Sequence, residues 1–208
     1  MIGIVDYGLG NLRSIQNMLR RAGAPSVISS DPGVLREAEK LILPGVGHFR
    51  FAMESLFEKR GLVEVLNERA LEAKVPVLGI CLGAQLLGRG SEEGGTEGLG
   101  WLAMDTVAFD RSRFNRGERV PHMGWAETEH TGHLLFQGQI ESPRFYYMHS
   151  FHLRCDDASA VIATAEHGYR FASGVVQGNI MGVQFHPEKS HAFGLRLLKA
   201  FAAMSPPH

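Results

Sequence analysis

The chain is poor in cysteine and tryptophan and carries almost no excess charge of either sign. Two cysteines, Cys81 and Cys155, allow at most one disulfide. A disulfide-stapled fold is therefore excluded, and free thiols are expected in a chain outside the secretory route. Lys and Arg number 21 against 22 Asp and Glu, so no global field points to nucleic acid or an anionic membrane as a partner. Long hydrophobic runs are missing too. The most extended, roughly Val75 to Leu87, is broken by glycines and Gln85 and is too short to cross a bilayer. The opening Met1-Ile2-Gly3-Ile4-Val5-Asp6 has no basic n-region and reads as a first strand, not a signal peptide. A cytoplasmic protein is expected. There is no internal repeat, low-complexity tract or Pro/Ser linker, and 208 residues at 44% hydrophobic suffice for one sizeable core. Residues 1–208 are expected to form a single domain.

What is present alternates. Ile2–Val5 reads as a strand, and Leu12, Ile15, Leu19 and Ala22 then recur at helical spacing with Asn11 as N-cap. Ser26–Ser29 and Lys40–Leu43 are short strands; Phe49–Phe57 and Leu62–Lys74 are helices. Val75–Ile80 is continuously apolar, as a central parallel strand buried on both faces requires. From about Met104 onward the segments become short and strand-like, including Phe145–Met148 and Ala160–Ala163. A hairpin turns at Gly178-Asn179, and a helix over about Ala192–Met204 closes the chain. The pattern predicts an α/β fold of three layers, with a mostly parallel central sheet and an antiparallel extension.

Chemistry concentrates at Gly79-Ile80-Cys81-Leu82-Gly83-Ala84-Gln85. Glycines flanking a cysteine at the end of a buried strand let the chain fold back sharply into a helix, which projects the thiol from the turn. Nearby helix N–H groups there favour thiolate over thiol. A thiol nucleophile needs a base and a group to orient it. Gln184-Phe185-His186-Pro187-Glu188 offers both. Pro187 keeps His186 out of helix, so the segment is read as extended, with His186 and Glu188 facing one side. Acyl transfer further needs donors for an oxyanion. The Leu82 N–H is one, and Leu43-Pro44-Gly45-Val46-Gly47 supplies another from Val46 or a neighbouring glycine.

These strings resemble the class I, triad-type glutamine amidotransferases. More narrowly, the chain is similar to the glutaminase subunits of imidazole glycerol phosphate synthases, which serve histidine biosynthesis. One alternative is the glutaminase of another ammonia-using synthase, such as pyridoxal-phosphate synthase, against which Pro121-His122-Met123-Gly124-Trp125 speaks. The other is a non-catalytic regulatory partner of the same fold, against which the complete Cys81, His186 and Glu188 set speaks. The similar stretches are Asp6–Leu12, Leu43–Gly47, Leu78–Gly83, Val120–Trp125, Tyr147–Ser150 and Gly182–Ser190. The resemblance implies that the Cys81 thiolate attacks glutamine's side-chain amide to give a glutamyl thioester, with His186 as acid then base and Glu188 orienting it. It implies oxyanion donors at Val46, Gly47 and Leu82, and glutamine contacts at Gly45, Gln85, Glu93, His149 and Ser150. It implies no cofactor, and a (β/α)8-barrel cyclase as partner in a heterodimer, met through Trp125 and Lys189. Glutaminase activity is then low until the cyclase is liganded, and a flip of the Gly45–Gly47 backbone is the expected switch. Ala84, Ala126 and the small Gly88-Arg89-Gly90 depart from the family pattern.

Several bland readings compete. Cys155 lacks glycine flanks and a turn signal and reads as a bystander. His130-x-x-His133 and His149-x-x-His152 match no zinc spacing, so no metal is expected. Gly88–Gly100 lacks the Gly-Lys-Ser/Thr ending of a phosphate loop and reads as a flexible loop at the edge of the site. Arg111, Arg113, Arg116 and Arg119 read as a solvated hairpin that also has the option of touching the cyclase.

Overall fold

A computed structural model describes residues 1–115 and 117–205. Arg116, one of the four clustered arginines, lies outside the described residues. The first half alternates as the periodicity requires. Strands β1 (Ile2–Val5), β2 (Ser26–Ser29), β3 (Lys40–Leu43) and β4 (Val77–Ile80) are separated by helices α1 (Leu12–Arg21), α2 (Pro32–Arg36), α3 (Phe49–Glu58) and α4 (Leu62–Asn67). Helix α5 (Leu82–Leu86) follows β4, and a tight hairpin of β5 (Gly90–Ser91) and β6 (Thr96–Glu97) comes next. The second half contributes β7 (Met104–Ala108), β8 (His122–His130), β9 (Arg144–His149), β10 (Phe151–Cys155), β11 (Val161–His167), β12 (Tyr169–Gln177) and β13 (Ile180–Val183). Helix α6 (His191–Ala203) ends the described fold.

The strands form one sheet among the described residues, in the order β2-β1-β3-β4-β13-β12-β10-β7-β5-β6, with β11, β8 and β9 branching from β12. From β2 to β13 every neighbour is parallel, and from β13 to β7 the pairing is antiparallel. Alternate side chains of the parallel strands feed two layers. Val5, Leu41, Leu43 and Val77 pack with α2, α3 and α4 through Leu35, Phe49, Leu56 and Val65. Ile4, Ile42, Leu78 and Ile80 pack on the other face with Ile15, Leu19, Leu197 and Phe201 of α1 and α6. The three-layer α/β reading holds.

Two details differ from the sequence pattern. The helix expected over Leu62–Lys74 stays α-helical only to Asn67 and widens to a π-turn over Glu68–Glu72. Lys74 then turns left-handed, at φ 51°. The Asn179 amide, in the Gly178-Asn179 turn between β12 and β13, donates to the Ala70 and Val75 carbonyls, both at 2.8 Å. The first gives a carbonyl of the widened turn a partner, and the second ties the chain entering β4 to the same amide. Gly88–Gly100, expected as a flexible loop, instead holds the β5–β6 hairpin, which lies beside β7.

The antiparallel extension encloses a cluster of imidazoles. His122 Nδ1 lies 3.0 Å from His149 Nε2, and the His122 and His167 rings stack at 4.2 Å. His152 Nε2 meets the Tyr169 hydroxyl at 2.9 Å. Phe109, Tyr147 and Phe171 fill the gaps. Burial disfavours the imidazolium, so His122 is pushed down to about 4 and His149 and His152 are lowered as well. A histidine with a depressed folded pKa leaves stability intact above its unfolded pKa, and the loss grows as pH falls toward the folded value. Between about pH 7 and 5, His122 alone is expected to remove about 1–2 kcal/mol. Urea midpoints at the two pH values check this; a His122→Gln chain should lose less, and a pH-independent wild-type midpoint would refute it.

Candidate active site

The nucleophile's position follows from chain geometry. β4 ends at Ile80 and α5 begins at Leu82, so Cys81 alone makes the turn, at φ 54° and ψ −112°. A non-glycine residue there stores on the order of 1–3 kcal/mol of backbone strain. Surrounding bonds hold it: Cys81 N–H donates to the Val183 carbonyl at 2.8 Å, and its own carbonyl accepts from Ala84 and Gln85 N–H. The flanking glycines allow close approach. A Cβ on Gly79 would sit 2.7 Å from the Ala84 Cα, and one on Gly45 2.6 Å from the Gly83 nitrogen. Gly45 thus packs behind the turn and does not line the cavity in front of it.

His186 follows β13, which pairs with β4. Its N–H donates to the Tyr146 carbonyl at 2.8 Å, and Ser190 Oγ donates to its carbonyl at 2.6 Å. His186 is extended, but Pro187–Lys189 form one turn of 3₁₀ helix. The extended reading therefore fails beyond His186. Proline's fixed φ suits the first position of a helical turn, and that turn carries Glu188 back beneath the imidazole. Glu188 Oε1 lies 2.8 Å from His186 Nδ1, and both side chains are buried.

Asn11 has a different job from the one its sequence position suggests. It makes no capping bond at α1; its Nδ2 donates to Glu188 Oε1 at 2.7 Å. Burial works against ionisation of Glu188, yet the bonds from His186 and Asn11 outweigh it and hold the carboxyl below its ordinary range. Burial would likewise lower His186. The charge of the neighbouring Cys81 and the Glu188 carboxylate overcome that and push the imidazole up to about 10. The Glu188 carboxylate backs Nδ1, while the buried Nε2 has no hydrogen-bond partner among the described residues.

A cavity of about 180 Å³ opens in front of Cys81, sized for one small polar molecule. Val46, Gly47, Leu82, Gln85, Glu93, His149, Ser150 and His186 line it, with Met148 and Phe151. Gly47 sits at φ 105°. Glu93 accepts from the Phe49 N–H at 2.8 Å, which ties the β5–β6 hairpin to the start of α3. Trp125 and Lys189 lie outside the cavity. Trp125 is part-exposed and stacks on His191 at 5.4 Å, and Lys189 Nζ lies 5.7 Å from the Tyr146 ring centre. A larger cleft of about 400 Å³, lined by Met104, Cys155, Val175 and Gln177 among others, shares no residue with this cavity. Burial raises its Cys155 thiol to about 11, against nucleophilic use. Arg111, Arg113 and Arg119 are exposed, with Arg113 over the Tyr169 ring.

One buried residue of the site is absent from the sequence reading of roles. Gln184 is fully buried and its Nε2 lies 3.8 Å from Cys81 Sγ. The signal was available: in an extended stretch residues 184 and 186 face one side.

A strained cysteine at a strand–helix elbow, facing a histidine backed by a carboxylate, defines an acyl-transfer enzyme of the thiol class. The profile of the family described as glutamine amidotransferase class-I matches residues 3–203, and the chain belongs to that family. It is 50% identical over 202 residues to imidazole glycerol phosphate synthase subunit HisH of Sulfurimonas denitrificans, covering 97% of each chain. It is 45% identical to imidazole glycerol phosphate synthase subunit HisH 2 of Pseudomonas aeruginosa, over 98% of this chain and 100% of that one. Among solved structures, a glutamine amidotransferase matches with a TM-score of 0.75 at 21% identity, over 98% of this chain and 99% of that one. The structure of PurLQS from Thermotoga maritima matches with 0.70 at 20%, over 96% of each. At those identities the structures speak to the fold alone.

Proposed function

We propose that this chain is the glutaminase subunit of an imidazole glycerol phosphate synthase, hydrolysing L-glutamine to glutamate and ammonia. The observation that carries the chemistry is the Cys81 elbow set against a raised, Glu188-backed His186. The near full-length relatives named as synthase subunits carry the biological setting. The Cys81 thiolate adds to the side-chain amide carbon, and the oxyanion takes N–H bonds from Leu82 and from Val46 or Gly47. His186 gives its proton to the departing nitrogen, which leaves as ammonia with formation of a thioester. It then takes a proton from water, whose oxygen displaces the thiolate and releases glutamate. Glu188 and Asn11 hold the imidazole through both steps.

Substrate selection rests on polar groups. Glu93 offers the cavity a carboxylate suited to an α-ammonium group, with His149 and Ser150 beside it. The Gly47 conformation supports a reorientable peptide at Val46–Gly47, and Gly45 keeps that strand close to the elbow. Ammonia in neutral water is largely protonated, so its use requires direct delivery. The partner is a (β/α)8-barrel cyclase bound as a heterodimer, with Trp125, Tyr146 and Lys189 on the docking face, in the cytoplasm. Among the described residues no helix is long and apolar enough to cross a membrane.

Glutamate release by the isolated chain should be slow. It should rise on adding the barrel cyclase and rise again with that cyclase's ribonucleotide ligand. Full activity without the cyclase would overturn the gated-subunit reading.

A further inference from the structure

Two buried side-chain amides lie in series beside the thiol. The Phe151 carbonyl can only accept, so Gln85 presents Nε2 to it, at 3.2 Å. The same nitrogen lies 3.1 Å from Gln184 Oε1, and both of its protons are engaged. With Gln184 Oε1 accepting, its Nε2 must face Cys81 Sγ, 3.8 Å away. Rotating either amide by half a turn would set like atoms against each other. The orientation of the whole relay is thus fixed by one backbone carbonyl. Gln85 is left with only its Oε1 to offer a ligand.

We propose that Gln184 is a positioning residue for the nucleophile: its N–H, aimed by Gln85 and the Phe151 carbonyl, holds Cys81 Sγ in place and favours thiolate over thiol. The inference rests on the reading of Cys81 as the nucleophile. A donor to the charged form favours that form, and few other groups here can do so. The ionisable groups around the sulfur are Tyr7 before α1, Glu93 in the β5–β6 hairpin, His149 at the end of β9, and His186 with Glu188 after β13. Glu93 opposes the thiolate, His149 is held neutral by burial, and no lysine or arginine is among the described residues that line the cavity. The Met148 carbonyl, 3.8 Å from Sγ, competes by accepting from the thiol. Gln184 and the His186 proton tip that balance together.

Gln184→Met keeps the length of the side chain and removes the donor. In a Cys155→Ser background, so that one thiol reports, the pH dependence of alkylation by iodoacetamide follows Cys81. Its midpoint should rise by about half to one pH unit in Gln184→Met. The kcat for glutamine, measured with the cyclase present, should fall about tenfold while KM moves less than about twofold. A second reading needs no variant at Gln184. In the ¹⁵N-labelled chain the Gln184 side-chain amide signals should shift as Cys81 titrates, and should stay still in Cys81→Ala. An unmoved alkylation midpoint, or amide signals indifferent to Cys81, would overturn the proposal. Alkylation reads the thiol and not turnover, so a relay failure is distinct from a failure of the glutaminase reading. An unreactive Cys81 in the parent chain would overturn both.

Discussion

Replacing Cys81 by alanine is expected to lower glutamate release by about 10⁴-fold or more, the scale for losing the nucleophile of a triad. Binding should survive, because Glu93, Gln85, His149 and Ser150 remain in the cavity; calorimetric titration with glutamine tests that. Since Cys81, His186 and Glu188 act as one unit, a Cys81→Ala/His186→Ala chain should be no slower than the slower single variant. The substitution also carries a spectroscopic consequence. Burial lowers His186 and the Cys81 charge leads the groups that raise it. Without the thiol, the imidazole titration observed by NMR should drop from about 10. Turnover undiminished in Cys81→Ala would end the thioester mechanism, and a His186 titration that stayed put would remove Cys81 as its partner.

The parallel half of the fold was legible because β1, β3 and β4 are buried on both faces. The edge strand β2, only half-buried, still carries Val27 and Ile28 between its serines. Ile2–Val5, Ser26–Ser29 and Lys40–Leu43 appear with the bounds their apolar runs suggest. The antiparallel half was less so. β8 and β12 each run nine residues, longer than the short segments expected, because one face is polar and glycines at 124 and 174 interrupt the pattern. The end of the Leu62–Lys74 helix was hidden for a different reason: its widened turn is stabilised by Asn179, more than a hundred residues away. Long-range partners hide roles as well. Asn11 looks like a cap because caps are local, whereas its actual acceptor is Glu188. Cys81, His186 and Glu188 were readable because elbow chemistry is local to a few residues on each side. Gln184 was overlooked although the alternation that linked His186 to Glu188 reaches it directly. Gln184 and Phe185 form a bend beyond β13, and a helical turn follows from Pro187.

Gly83→Ala should be among the most damaging single substitutions in the chain, although it adds only one methyl group. The new Cβ would lie 1.9 Å from the Leu43 carbonyl oxygen and 2.8 Å from its carbon. Both are backbone atoms at the end of β3, so no side-chain rotation relieves the overlap. β3 is itself pinned between β1 and β4, and the elbow before Gly83 is held by bonds to the β13 end. Helix α5 must therefore move. Overpacking of this kind costs about 3 kcal/mol, which for a domain of this size lowers Tm by roughly 6–12 °C. The displacement would also carry Leu82 N–H and Cys81 away from His186. Misplacement of a reacting group by about 1 Å is enough to cost about 10²-fold in rate, so the folded fraction of Gly83→Ala should be slow as well as unstable. Calorimetry and glutamate release on the same preparation separate the two losses. A variant that melted with the wild type would show that α5 does not rest on the β3 terminus. One that melted early yet kept full activity per folded molecule would show that the elbow tolerates the shift.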